Sequence, residues 1–256
     1  MGTRASVDTP GSARTEVTVR STSQIVAALY DKRVDGTSLT DLLCVDCTSD
    51  LSLKGATLSV GDHTGLVAVV GASDPVLRRL EERQVELAEG PAADAARSGA
   101  PSVHHQLDDA ATARWPTYAP MALEAGVGTI VAWPLSVVAV RVGALAMYAG
   151  SPGPLETSGA TASVRTWVDA ATAILLDLQE AETDPSSVGG LASSLDYTAE
   201  IHQATGFVSV TAGVRLDDAL ELMRARAFAT ERTLLQVARD VLAARLVIAD
   251  PGAHDE

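Results

Sequence analysis

The sequence predicts an α+β domain followed by a small all-α domain, and two observations carry that fold class. Apolar runs rich in β-branched residues alternate with helical patterns up to about residue 180, whereas only helical patterns follow residue 192. Between them Asp184-Pro185-Ser186-Ser187 and Gly189-Gly190 read as a linker. The expected layout is a polar tail at 1–16, a first domain at 17–182, a linker at 183–192, a helical domain at 193–249 and a tail at 250–256.

Taken in order, Val19 to Tyr30 suits a short amphipathic helix with Ile25, Val26 and Leu29 on one side. Leu42–Val45, Ala56–Val60 and Gly65–Val70 read as strands, with Gly55, Gly61 and Gly65 as turns. Asp74-Pro75 opens a helix carrying Val76, Leu77 and Leu80, since proline at the first helical position forfeits no bond. Gly90-Pro91 interrupts the chain, a loop is expected around Pro101–Asp109, and a short helix passes through Met121–Leu123 after the Trp115-Pro116 turn. Thr129–Leu135 and Val140–Tyr148 are the strongest strand patterns. A long helix from about Ser158 to Ala181 repeats Val164, Val168, Ala171, Leu175 and Leu178 at alternating spacings of four and three. Such a seam either covers the sheet or pairs with a second copy of the chain.

Three helices fit the last domain. The first, about Ser194–Ala212, turns Leu195, Ile201, Ala204 and Val208 inward, and Gly213 suits its C-terminal end. The second, about Leu216–Ala229, has the stripe Leu216, Ala219, Leu220, Met223 and Ala227. The third begins at Thr233, where Thr233-x-x-Gln236 forms a capping box, with Leu234, Val237, Ala238 and Val241 inward. A bundle of about 55 residues is marginal alone and leans on a neighbour.

Charge and composition exclude several classes. The net charge of −14 argues against broad, non-specific binding of nucleic acid. Residues 1–189 hold 13 Lys and Arg against 23 Asp and Glu, whereas residues 190–250 hold six Arg against eight acids. No apolar run reaches the roughly 18 residues of a membrane span, and no secretory leader pattern is present, so a cytoplasmic protein without membrane contact is expected. Cys44 and Cys47 form a CxxC, but in a strand they would face opposite sides and no second pair completes a zinc site. His104-His105 lies in a loop or edge strand beside Asp108 and Asp109 and reads as a hydrated loop or a metal site, the former being the simpler reading. Phosphate-cradling, nucleophile-elbow and HExxH motifs are absent, so neither an enzyme nor a bound metal or cofactor is expected.

The segments Ile201-His-Gln-Ala-Thr-Gly-Phe-Val-Ser, Asp218-Ala-Leu-Glu-Leu-Met-Arg and Leu234-Leu-Gln-Val-Ala resemble the ANTAR family, with Ile201, Ala204, Gly206, Ala219, Arg224, Leu234, Val237 and Ala238 on its pattern. Thr205 stands where that family usually has Lys, Ser209 replaces an apolar residue, and Arg215 replaces a Ser or Thr cap. The resemblance implies a three-helix module whose dimers bind paired RNA hairpins in transcription antitermination. Unpaired loops are read by stacking and base-edge hydrogen bonds more than by bulk charge. Residues from about 20 to 180 resemble GAF domains through Ala88-Glu89-Gly90-Pro91, Arg114-Trp115-Pro116 with Ala119-Pro120, Pro134-Leu135 and Val142-Gly143-Ala144-Leu145. Ala92 stands where relatives carry Cys after the Gly-Pro. That resemblance implies an antiparallel sheet flanked by helices and a pocket for a small-molecule effector.

The expected function is therefore signal-responsive, RNA-binding control of antitermination by a homodimer, with Arg224, Arg226, Arg232, Arg239, Thr205 and His202 as the RNA-contacting residues. Guanidinium groups grip phosphates through forked hydrogen bonds and stack on unpaired bases. Two alternatives stand beside it. One is a DNA-binding regulator, for which Gln236, Arg239 and Arg245 would be the readers. The other is a small-molecule or protein-interaction sensor with a degenerate ANTAR end.

Overall fold

Ser21 caps the first helix and Gln24 reaches back to it, closing a capping box that starts α1 (Thr22–Lys32). In this computed structural model, residues 20–34, 37–62, 65–151, 160–183, 192–230 and 232–248 are described. The expected tails at 1–16 and 250–256, and residues 184–191 of the expected 183–192 linker, lie outside them, while Thr183 ends α7 and Ala192 begins α8. There follow α2 (Leu39–Asp50), β1 (Gly55–Asp62), β2 (Gly65–Ala72), α3 (Pro75–Leu87), α4 (Pro91–Ser98), β3 (Ser102–His104), α5 (Asp109–Arg114) and α6 (Tyr118–Glu124). The chain continues through β4 (Thr129–Val137), β5 (Val140–Ala149), α7 (Ala160–Thr183), α8 (Ala192–Ala212), α9 (Leu216–Ala229) and α10 (Leu234–Leu242).

The five strands form one antiparallel sheet in the order β2-β1-β5-β4-β3. Side chains alternate across it with the period of two that strands impose. Leu58, Val60, Leu145 and Met147 face α1, α2 and α7, together with Leu29, Leu43, Trp167 and Ile174. Ala132, Ala144, Ala146 and Tyr148 face α3, α4 and α6. Here the buried Ala92, Ala95 and Ala96 of α4 meet alanines of the sheet, so small side chains line both surfaces. Gly143 is required where β5 meets β1, because a Cβ there would lie 2.0 Å from the Ser59 carbonyl oxygen.

One strand expectation fails. Leu42–Val45 lies inside the helix α2, not in a strand. Ser38 accepts a hydrogen bond from the Asp41 amide and starts a helix whose buried face is Leu39, Thr40, Leu43, Cys44 and Cys47. Four apolar residues are too few to separate a helix period from a strand period. The two cysteines consequently share one helical face, are fully buried, and have thiols pushed up above their ordinary value by burial. The stretch read as a loop around Pro101–Asp109 contains β3, which pairs with β4. Among the described residues no group of three or more His, Cys, Asp or Glu is placed to hold a metal, and no helix is long and apolar enough to cross a membrane.

The seam of α7 is consumed within the chain. Val164, Val168, Ala171, Leu175 and Leu178 are all buried with residues of α1, α2 and the sheet. After residue 191 the chain is helical, as expected, and α8, α9 and α10 pack on one another through Ile201, Ala204, Val208, Met223, Val237 and Val241. The capping box at Thr233 is present. Leu216, expected in the inward stripe, is 58% exposed, because it begins α9 and lies beyond the turn that the neighbouring helices cover.

Candidate functional site

β2 is an edge strand, and its outward backbone groups need partners other than a sixth strand. Side chains supply them. Thr40 Oγ1 donates to the Val70 carbonyl at 2.5 Å, and the Ala72 amide donates to Asp41 Oδ1 at 2.8 Å. At the other end Arg224 of α9 donates through Nη2 to the Leu66 carbonyl at 2.9 Å. The helical module is thereby seated on the first domain, and its core joins the α3–α4 side of the sheet in one hydrophobic cluster. Arg224 is 4% exposed, also pairs with Glu221 at 2.8 Å, and keeps Nε buried without a partner. Next to this seam a cleft of about 380 Å³ opens between Val67–Val69 of β2, Glu82 and Glu86 of α3, and Leu235 and Arg239 of α10. Burial raises the carboxyl pKa of both Glu82 and Glu86, against the nearby arginines that lower it.

A second feature lies beneath α3, against the sheet. Glu81 is completely buried and accepts from Ser59 Oγ at 2.8 Å, from Gln84 Nε2 at 2.7 Å and from the Tyr148 hydroxyl. Thr57 and Gln84 also reach the Tyr148 hydroxyl, each at 3.3 Å. The Gln84 amide oxygen then accepts from the Ala92 amide at 2.9 Å, tying the cluster to the start of α4. That link explains Gly90, whose φ of +119° and lack of a Cβ leave room for the Gln84 side chain. Tyr118, from α6, brings a fourth buried hydroxyl that has no hydrogen-bond partner. Desolvation raises the Glu81 pKa above the ordinary carboxylate value, although the hydrogen bonds from Tyr148, Ser59, Thr57 and Gln84 pull it down. The arrangement can hold or release a proton, or exchange its internal donors for those of a ligand.

The expected RNA-contacting residues are placed unevenly. Arg226 is exposed. Arg232 bonds Asp240 and the Gln236 carbonyl, and Arg239 pairs with Glu200 at 2.6 Å. Asp240 also takes Arg245, and these guanidinium groups hold its carboxyl below the usual range. Thr205 is buried and donates to the Ile201 carbonyl at 2.7 Å, so it faces the bundle interior. His202 is exposed on α8. The structure therefore does not gather these six residues into one open surface. His104 stacks edge-on against Trp115 with ring centres 4.5 Å apart and contacts Ser102 Oγ; burial lowers its pKa.

Sequence reasoning missed Glu81, Gln84, Tyr118 and Tyr148. The available signal was on α3, where Glu81 and Gln84 occupy the same inward face as Leu77 and Leu80.

No family model and no curated protein matches the chain. Among solved structures, the GAF domain of a phosphoenolpyruvate-protein phosphotransferase from Coxiella burnetii matches at 13% identity and TM-score 0.47, covering 64% of this chain and 97% of that one. The GAF domain from an Acinetobacter phosphoenolpyruvate-protein phosphotransferase matches at 9% identity and TM-score 0.42, covering 62% and 92%. A GAF domain/HD domain protein from Geobacter sulfurreducens matches at 14% identity and TM-score 0.39, covering 63% and 96%. With TM-scores below 0.5, these matches add nothing to what the sheet order and helix placement themselves display.

Proposed function

We propose that this chain is a signal-responsive, RNA-binding antitermination regulator in which a GAF-like sensor controls a three-helix RNA-binding module by docking it. The carrying observation is the burial of Arg224, a cation of α9, on the Leu66 carbonyl of the sensor's edge strand. A guanidinium buried with Nε unpaired is an incompletely satisfied contact, which costs about 1–3 kcal/mol and favours release once the sensor changes shape. Undocking would return Arg224 to solvent on the same helix as the exposed Arg226, the helix expected to meet RNA. The Glu81 cluster is the sensing element in this reading, since it joins the sheet to the inward face of α3 and to the start of α4, against which the module rests. Paired hairpins would engage two released modules, which makes the active form a homodimer.

Gel shifts of the full chain with a paired-hairpin RNA test the reading. Leu235→Asp, at the cleft and outside the module's own core, should loosen docking and tighten RNA binding. Arg226→Ala should weaken binding about tenfold, the scale of one lost charge-assisted contact. No hairpin binding by either the full chain or the Leu235→Asp variant would overturn the RNA assignment. The engagement of Arg232 and Arg239 with Asp240 and Glu200 favours, as second reading, a sensor whose helical end binds no nucleic acid. Preference for competitor duplex would instead identify a DNA-binding regulator.

A further inference from the structure

The chain has three tryptophans, and each lies under an arginine. Arg114 stacks over Trp115 at 5.5 Å, and both Trp115 Nε1 and Arg114 donate to Asp94, at 3.1 and 2.7 Å. Arg20 stacks over Trp167 at 5.4 Å; Trp167 Nε1 donates to Asp50 at 2.9 Å, and Arg20 pairs with the same carboxylate at 3.1 Å. In both places one carboxylate bridges an indole N–H and the guanidinium above it. The third pair lacks that carboxylate. Arg165 of α7 lies 5.9 Å from the Trp133 ring centre, yet Trp133 Nε1 is buried with no acceptor, and Arg165 has no ion pair among the described residues.

This incomplete pair borders a cleft of about 260 Å³ between the β4 end of the sheet and α7, which Ser136 and Gly99 also line. It lies on the sheet face opposite Glu81, since Trp133 packs with the α1–α2–α7 core. We propose that the cleft is a binding site for a small organic carboxylate, which completes the third Trp–Arg pair as Asp94 and Asp50 complete the other two. A buried N–H donor without an acceptor is costly, and a carboxylate is the acceptor that also neutralises the adjacent guanidinium. Asp169, exposed on the next turn of α7 after Arg165, is the opposing charge. Nε1 has no contact with solvent in this conformation, so a carboxylate reaches it only with a side-chain rearrangement at the cleft.

Indole-labelled full chain resolves three Nε1–H resonances by NMR, assigned with single Trp→Phe variants. Titration with benzoate should shift the Trp133 resonance saturably and leave those of Trp115 and Trp167 in place, whereas benzamide should not shift it. Arg165→Gln should raise the benzoate Kd about tenfold or more, and Asp169→Asn should lower it. An unmoved Trp133 resonance, an equal response to benzamide, or an unchanged Kd in Arg165→Gln would overturn the proposal. So would a Trp133 shift produced by Asp169→Asn alone, which would make Asp169 the acceptor, or one produced by raising protein concentration alone, which would make it a second copy of the chain.

Discussion

The two faces of the sheet are built on different chemistry. The core of the face toward α1, α2 and α7 is apolar and bulky, with Leu58, Val60, Leu145, Met147 and Trp167 packed together. The face toward α3, α4 and α6 is lined by alanines and holds a buried carboxylate with four hydroxyl or amide neighbours. Stability on the first face comes from apolar area removed from water. On the second it depends on whether each buried polar atom is satisfied, and the helical module shares that cluster.

Substitutions can sharpen this contrast, and the largest effect belongs to the apolar face. Leu145→Ala should cost about 3 kcal/mol in urea unfolding, because it removes a fully buried side chain and leaves a cavity. A loss of under about 1 kcal/mol in this variant would blur the division between the faces. On the other face, Ala146→Leu should cost about 1–3 kcal/mol by overpacking the alanine-lined surface under α4. An unchanged melting temperature there would show that α4 is free to move outward.

Glu81→Gln tests the polar face through pH. The folded pKa of Glu81 is raised above its unfolded value, so the folded state holds the proton more tightly. Stability from this group is complete below the ordinary carboxylate pKa and is lost as pH rises through the folded pKa. The Gln variant should lack that decline, so its stability relative to the parent chain should rise with pH over this window. Parallel pH profiles in urea unfolding would remove Glu81 as a proton-holding site.

The smallest effect is expected at the β4–β5 turn. Val138 is fully exposed with φ of +56°, a left-handed conformation that a β-branched residue adopts at a cost. Val138→Gly should stabilise the chain by about 0.5 kcal/mol in urea unfolding, because glycine adopts this turn conformation without strain.

Long periodic segments were legible before any coordinates. The stripes of α9 and α10, the capping box at Thr233, the Asp74-Pro75 start of α3 and the strands β4 and β5 all follow from local spacing. The short run at Leu42–Val45 was misread because α2 has little contrast between its faces over four residues, and only its cap and its packing identify it. At the candidate sites the limit was different. Arg224, Arg232 and Arg239 read as solvent-facing cations, since a helical wheel cannot know that Leu66, Asp240 or Glu200 lies beside them.

The sequence by itself determined the long helices α1, α3 and α7 to α10, most of the strands and the change from mixed to all-helical architecture, because periodicity and capping act over a few residues. Tertiary structure alone decided that the α7 seam is spent within the chain, that Glu81 meets Ser59 and Tyr148, and that Arg224 closes on a carbonyl 158 residues away. Those pairings depend on which faces the sheet order brings together, and that is a long-range choice no local pattern encodes.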